Sequence, residues 1–446
     1  MPEINIPTDI TLGTSTSSYQ IEGAVNRDGK GPSIWDEFTR RSGVIKDGSD
    51  GSRACGHYDR MEEDVDLIKG LGVDAYRFSV SWPRVLPEGR GRVNEPGLDF
   101  YDRLVDRLLA RGVSPYLTLY HWDLPLALEQ HGGWTNRETA SWFADYAALL
   151  ADRLGDRVKH WITLNEPLST IAAGYVAGVH APGYRNIRKA AHAIHVQMLG
   201  HGRAFDAIKA RIPEAQVGIA NSFSPVYPER RVDQRIARRI SSVLNEVFMD
   251  PIYFGHYPRP LAPIIHLLNR QIRSSDWDVI QRTPDFLGVN HYSRLIARRT
   301  ILPFVGFKLV RPVAENVVFT DIDWEVYPPG FGRILEWIRE RYDNPPVIVT
   351  ENGASFDEPV QERRIHDVRR MDYITQYLQQ LVRAREAGSD IRGYFVWSLL
   401  DNFEWAYGYT QRFGLVHVDY TNLQRIPKDS YWMYRDICTK RSFSLE

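Results

Sequence analysis

The sequence holds little that would tie it to a membrane, a nucleic acid or an oxidising compartment. Its first ten residues, MPEINIPTDI, have no basic start followed by an apolar run, so no signal peptide is expected. Its densest apolar stretch, residues 394–400, is far short of the roughly 18 residues of a membrane helix, so no membrane partner is expected either. Lys and Arg number 55 against 56 Asp and Glu. Without a basic excess, no nucleic-acid partner is expected. Two cysteines cannot staple 446 residues. Cys55 and Cys438 could pair, but they fit a reduced, cytoplasmic protein at least as well, and no Asn-x-Ser/Thr sequon argues for secretion. Neither G-x-G-x-x-G nor G-x-x-x-x-G-K-[ST] occurs, so nothing suggests a loop that cradles a nucleotide phosphate. Low-complexity tracts and linkers are also missing, which favours one domain over the whole chain.

What is present is a repeated alternation. Short β-branched or aromatic runs at 9–13, 73–79, 113–120, 158–165, 216–221, 286–292, 347–350 and 391–398 are separated by stretches with helical spacing. In 61–71, Val65, Ile68 and Leu71 fall on one face, and 98–110 and 142–154 read the same way. Eight β-then-α units predict an α/β fold, a single-domain (β/α)8 TIM barrel. Extended βα loops are expected at 22–57, 177–186 and 296–328. A doubly wound open sheet is the structural alternative.

A barrel of this kind places its site where strands end. The polar and aromatic residues at those points are Gln20, Arg77, Trp82, His121, Trp122, Asp123, Asn165, Glu166, Asn221, Asn290, His291, Tyr292, Glu351, Asn352, Trp397, Asp401, Glu404 and Trp405. Amides, carboxylates and aromatics dominate, which suits a neutral polyhydroxylated small molecule. Carboxylates and amides bond hydroxyls, and aromatic faces stack on the C–H face of a sugar ring. Glu166 in TLNEP and Glu351 in VTENG stand on the fourth and seventh strands and can face each other across the mouth. Pro167 biases Glu166 away from helical backbone, so the strand is expected to continue through it. Facing carboxylates are the equipment of glycoside hydrolysis, one as proton donor and the other as nucleophile or base.

Other features carry less. His192, His195 and His201 share a helix away from the mouth without H-E-x-x-H, and no metal or other cofactor is expected. Arg230, Arg231, Arg235, Arg238 and Arg239 are interrupted by Asp233 and read as a solvated or subunit-contact face. Ser15, Ser17 and Ser18 lack a G-x-S-x-G elbow. Trp82 reads as core or site, and Trp161 as core.

Seven motifs in order, from GTSTSSYQIEG (13–23) through YRFSVSW (76–82), LYHWDLP (119–125), TLNEP (163–167), GVNHY (288–292) and TENG (350–353) to WSLLDNFEW (397–405), resemble glycoside hydrolase family 1 of the bacterial β-glucosidase type. The resemblance implies a retaining β-glycosidase with Glu166 as acid/base and Glu351 as nucleophile. It implies Asn165 at the sugar 2-hydroxyl, with Gln20, His121 and Trp405 around the 3-hydroxyl and Gln20 shared with the 4-hydroxyl. Glu404 is implied at the 4- and 6-hydroxyls, Trp397 as the floor under the ring, Tyr292 and Arg77 beside the nucleophile, and Asn290 in the same polar ring. Implied substrates are small β-glucosides, cello-oligosaccharides and more slowly β-galactosides. A 6-phospho-β-glycosidase is the related alternative, a thioglucosidase a further one disfavoured by Glu166, and a non-catalytic sugar-binding barrel the alternative of another class. Leu12, Gly56, Leu126 and Leu168 depart from the family pattern. Leu168 is expected on the rim of the leaving-group site.

Overall fold

The computed structural model describes residues 3–300, 306–312 and 317–445. Strands β1 (Thr11–Ser15), β2 (Ala75–Ser79), β3 (Ser114–Tyr120), β4 (His160–Asn165), β5 (Gln216–Ser222), β6 (Phe286–Asn290), β7 (Val347–Asn352) and β8 (Ile391–Trp397) close a parallel barrel in which β8 pairs with β1. All eight expected strands are there. The first sits two residues later than its pattern suggested. The Ile10 N–H turns back to the Pro7 carbonyl at 3.1 Å, and the ladder opens at Thr11. It runs on through polar Thr14 and Ser15 because both hydroxyls donate to the Val396 carbonyl at 3.2 Å.

Helices α1 (His57–Gly70), α2 (Glu95–Ala110), α3 (Glu138–Leu154), α4 (Ile187–Lys209), α5 (Pro328–Arg341), α6 (Val368–Glu386) and α7 (Asp429–Lys440) are the longest of the chain. In α2 the apolar spacing does the placing: Leu98, Tyr101, Leu104, Val105 and Leu108 are buried at intervals of three and four. Between β5 and β6 there is no long helix. The chain makes short ones, including Gln234–Ser241, Met249–Phe254 and Ala262–Leu268.

Inside the barrel, seven strands each give one residue to an apolar plug of Ala75, Tyr116, Ile162, Ala220, Phe286, Ile348 and Phe395. The eighth strand gives Gly13, where a Cβ would overlap the Phe395 ring. Side chains two residues apart share a strand face. The layer above the plug therefore begins with Arg77, Thr118, Thr350 and Trp397, and there the lining turns polar.

Segment 296–328 is not all loop. Leu295–Arg299 and Phe307–Leu309 form a three-stranded sheet with Val226–Pro228 beside the barrel mouth. Their burial alternates weakly, which hid them from the pattern. A hairpin of Val416–Asp419 and Gln424–Pro427 follows β8, and Glu3–Asn5 pairs with Ser442–Ser444 near the two chain ends. Trp82 and Trp161 are fully buried. On α4, His195 sits between Tyr257 and Asp276, and His201 bonds Thr163. Arg230 pairs with Asp233, and Arg238 with Glu246. Both cysteines are buried free thiols. Among the described residues no helix is long and apolar enough to cross a membrane.

Candidate active site

Two ladder irregularities aim the site. On β7 the register against β6 slips between Val349 and Glu351, which comes to lie opposite Asn290. A regular strand would send Thr350 and Glu351 to opposite faces. Here both reach inward: Thr350 Oγ1 donates to Asn290 Oδ1 at 2.6 Å, and Glu351 meets Arg77. On β4 the register against β5 slips between Ile162 and Asn165. The strand then stops at Asn165 instead of continuing through Glu166. Glu166 is left-handed (φ 43°, ψ 60°), keeps one ladder bond from its N–H to the Ala220 carbonyl at 2.8 Å, and hands over to a helix with proline in its first turn. Proline disfavours right-handed helix at the preceding residue, and here the chain takes the left-handed region instead of the extended one. Trp122 (φ 79°) and Trp405 (φ 48°) are left-handed too. Such non-glycine residues cost about 1–2 kcal/mol each and gather at functional sites.

Arg77, wholly buried, is the hub. Its Nη1 donates to Glu351 Oε1 at 2.6 Å and to the Thr350 carbonyl at 3.1 Å, Nη2 to Asn165 Oδ1 at 2.6 Å, and Nε to Thr118 Oγ1 at 3.1 Å. Tyr292 donates its hydroxyl to Glu351 Oε2 at 2.7 Å, so each oxygen of that carboxylate has a donor. Asn290 Nδ2 donates to Asn165 Oδ1 and to Glu166 Oε1, both at 3.0 Å. This chain fixes proton positions. Asn290 spends one amide hydrogen on Asn165 and the other on Glu166 Oε1, so a proton on Glu166 resides on Oε2. Asn165 Oδ1 already accepts two bonds, so its Nδ2 donates to His121 Nε2 at 3.1 Å. His121 then carries its hydrogen on Nδ1, which has no partner within the protein.

Burial, reinforced by the neighbouring Glu351 charge, pushes the Glu166 carboxyl up to about 7, against the pull of Ser169, Asn290 and Arg77. Burial, with Glu351 and then Glu166 adding to it, pushes Glu404 up to about 8. Burial and the Arg77 charge hold His121 well below the ordinary imidazole range, so it is neutral.

The remaining expected residues lie on the opposite wall. Gln20 Nε2 donates to Asn402 Oδ1 at 2.9 Å, to the Phe403 carbonyl at 3.0 Å and to Glu404 Oε2 at 3.4 Å, and Gln20 Oε1 accepts from Ser17. His121 stacks between Trp397 and Trp405, with ring centroids 5.8 and 6.0 Å away. A narrow inner cavity of about 60 Å³ is lined by His121, Asn165, Glu166, Tyr292, Glu351, Trp397, Glu404 and Trp405. It opens past Trp122 and Trp324 into an outer cavity of about 600 Å³. Every residue that the family resemblance assigns to the site is thus at one mouth, with Arg77, Gln20 and Asn290 behind the lining, whereas Trp82, Asn221, His291, Asn352 and Asp401 line neither cavity.

Sequence reasoning missed Trp324, which packs on Tyr292 and Phe413 and lines both cavities, and His180 of the outer one. Both sit in the long loops, where no periodicity marks them. Leu168 is misplaced by the sequence reading. It is half-buried and packs against the core, and it lines neither cavity. Ser169, Ala172 and Ala173 line the outer cavity in its stead. Among the described residues no group of His, Cys, Asp and Glu is arranged to hold a metal.

The sequence profile of Glycosyl hydrolase family 1 matches residues 3–443. The chain belongs to that family. Its members are enzymes that cleave glycosides with retention of configuration. Beta-glucosidase A of Thermotoga maritima is 44% identical over 435 residues, 97% of each chain. A solved family 1 β-glucosidase from the same organism superposes with a TM-score of 0.96 at 42% identity, covering all of both chains. The T. maritima β-glucosidase in complex with galacto-hydroximolactam gives 0.95 at 43%, covering 99% of this chain and 100% of that one.

Proposed function

We propose that the protein is a retaining β-glucosidase with Glu351 as nucleophile and Glu166 as acid/base. The observation that carries this is the asymmetry of the two carboxyls. Glu351 is gripped by a guanidinium and a phenol, as suits an anion, whereas Glu166 is held protonated up to about pH 7 with its hydrogen on Oε2. In the first step Glu166 gives that proton to the glycosidic oxygen as the bond to the anomeric carbon breaks. Glu351 Oε2 or Oε1 forms the new bond to that carbon, and the aglycone leaves as an alcohol. Esterification removes the Glu351 charge, so Glu166 becomes more acidic. It then takes a proton from water, whose oxygen attacks the anomeric carbon and expels Glu351.

Asn165 takes the 2-hydroxyl, the free His121 Nδ1–H the 3-hydroxyl, Glu404, backed by Gln20, the 4- and 6-hydroxyls, and Trp397 the ring face. Cello-oligosaccharides extend into the outer cavity. A carboxyl at Glu404 can accept from an axial or an equatorial 4-hydroxyl, so β-galactosides are cut as well, more slowly. The whole chain works as one catalytic unit, a reading supported by the pairing of β1 with β8 from opposite ends of the chain. Free buried thiols fit a reduced, cytoplasmic setting.

Azide rescue tests the roles. Glu351→Gly should lose turnover and, with azide, yield the α-glucosyl azide, because the vacated face is the α face. Glu166→Ala on an activated substrate should yield the β azide. The same anomer from both variants would mean the roles are misassigned.

A further inference from the structure

The segment after β8, residues 398–405, brings Glu404 and Trp405 to the cavity wall, with Asn402 behind them accepting from Gln20. Glu404 has little of its own to hold it: the one side-chain bond to its carboxyl is the long 3.4 Å contact from Gln20. Its backbone N–H donates to the Gly408 carbonyl at 2.7 Å, so the path of the chain decides where the carboxyl stands. Three residues earlier is Asp401, completely buried and in neither cavity wall. Its Oδ1 accepts from Lys428 Nζ at 2.9 Å and from the Gly414 N–H at 2.8 Å. Its Oδ2 accepts from Arg412 Nη1 at 3.3 Å and faces His417 Nδ1 at 3.4 Å. The Asp401 N–H donates to the Val416 carbonyl at 2.9 Å, and its own carbonyl accepts from Cys55 Sγ at 3.0 Å. The approach is close enough that a Cβ at Gly414 would overlap the Asp401 backbone.

These partners come from four places: the turn at Arg412 and Gly414, the strand Val416–Asp419, Lys428 just before α7, and Cys55 just before α1. Arg370 of α6 holds the same turn through the carbonyls of Arg412 and Phe413, at 2.8 and 3.0 Å. A buried carboxylate among cations is poor evidence of stability, since its desolvation offsets the attraction. What it does supply is a fixed point. The Glu166–Glu351 pair is fixed separately, through Arg77, Tyr292 and Asn290.

We propose that Asp401 is a positioning residue for glycone recognition: clamped by Lys428, Arg412 and Gly414, it sets the chain path that carries Glu404 and Trp405 to the sugar. The proposal rests on the reading that Glu404 takes the 4- and 6-hydroxyls. A loosened segment would therefore penalise substrates in proportion to their use of C6.

The test compares nitrophenyl β-glucoside with nitrophenyl β-xyloside, which lacks the C6 hydroxymethyl group, in the parent, Asp401→Asn, Asp401→Ala and Glu404→Gln. The parent should prefer the glucoside. In both Asp401 variants the glucoside-to-xyloside ratio of kcat/KM should fall about 10-fold or more, with KM for the glucoside rising more than its kcat falls. Glu404→Gln should lower the same ratio. A merely structural Asp401 would reduce the folded fraction and cut both substrates alike, leaving ratio and KM unchanged. That result, beside a lowered ratio in Glu404→Gln, overturns the proposal alone. An unchanged ratio in Glu404→Gln overturns the reading of Glu404 and the proposal with it. Should the Asp401 variants not fold, Lys428→Met removes the ammonium while leaving the carboxylate on Gly414 and Arg412. Its ratio should fall in the same direction, and an unchanged one overturns the proposal.

Discussion

At the scale of single residues, the charge of Glu351 is what keeps Glu166 an acid once burial has done its larger part. A raised carboxyl keeps its proton below its folded-state value, so the competent protonated form is lost as pH rises through about 7. The alkaline limb of kcat/KM should lie there. Replacing Glu351 with Gln removes the neighbouring charge without emptying the site. The Glu166 carboxyl should then titrate lower, which carbon NMR of the labelled side chain reads directly. A carboxyl that stays near 7 would assign the whole shift to burial. That same fall is what the covalent intermediate needs in order for Glu166 to act as a base. The proton's seat on Oε2 and the free hydrogen on His121 Nδ1 could not have been read from TLNEP or LYHWDLP. They depend on which amide hydrogens Asn290 and Asn165 have already spent.

At the scale of elements, the sequence marks which strands exist better than where they point. Apolar periodicity located β4 and β7, since each must bury side chains against helices and plug. It could not show the register slips that turn Thr350 and Glu351 inward together, because a slip is set by the neighbouring strand. The helix after Glu166 teaches the same lesson. Leu168 reads as a rim residue by its place beside Asn-Glu-Pro, yet it is half-buried against the core while Ala173 lines the outer cavity. Leu168→Trp should therefore destabilise by about 1–3 kcal/mol through overpacking, measured as a lowered Tm, with KM for aryl glucosides unchanged. Ala173→Trp should do the reverse: little change in Tm and an altered KM for aryl aglycones. A KM effect confined to the Leu168 variant would return that residue to the rim.

At the scale of the whole molecule, the barrel was legible because eight β-then-α units leave few ways to bury a parallel sheet. The small sheet that includes Leu295–Arg299 and the hairpin after β8 were not, since short, half-buried strands carry little periodicity. Closing the barrel gathers three carboxyls, Glu166, Glu351 and Glu404, at one mouth, and no Lys or Arg is among the residues lining the inner cavity. Arg77 is close, but its donors are taken by Glu351, Asn165, Thr118 and a carbonyl. A 6-phosphoglycoside would bring about two negative charges beside Glu351 and Glu404 with, among the described residues, no Lys or Arg on the inner cavity wall to meet them. Like-charge juxtaposition of this kind costs several kcal/mol, on the order of 10³-fold in kcat/KM. Glu404 is pushed up to about 8, so it gains charge as pH rises through that value, and the discrimination should widen with it. The ratio of nitrophenyl β-glucoside to its 6-phosphate, measured from about pH 7 to 8.5, above the phosphate's own titration near pH ~6, cancels the shared acid/base limbs and leaves this term. It should be large throughout, grow with pH, and both narrow and flatten in Glu404→Ser. Equal turnover of the phosphorylated substrate by the parent would overturn the place given to Glu404 and favour the phospho-specific alternative.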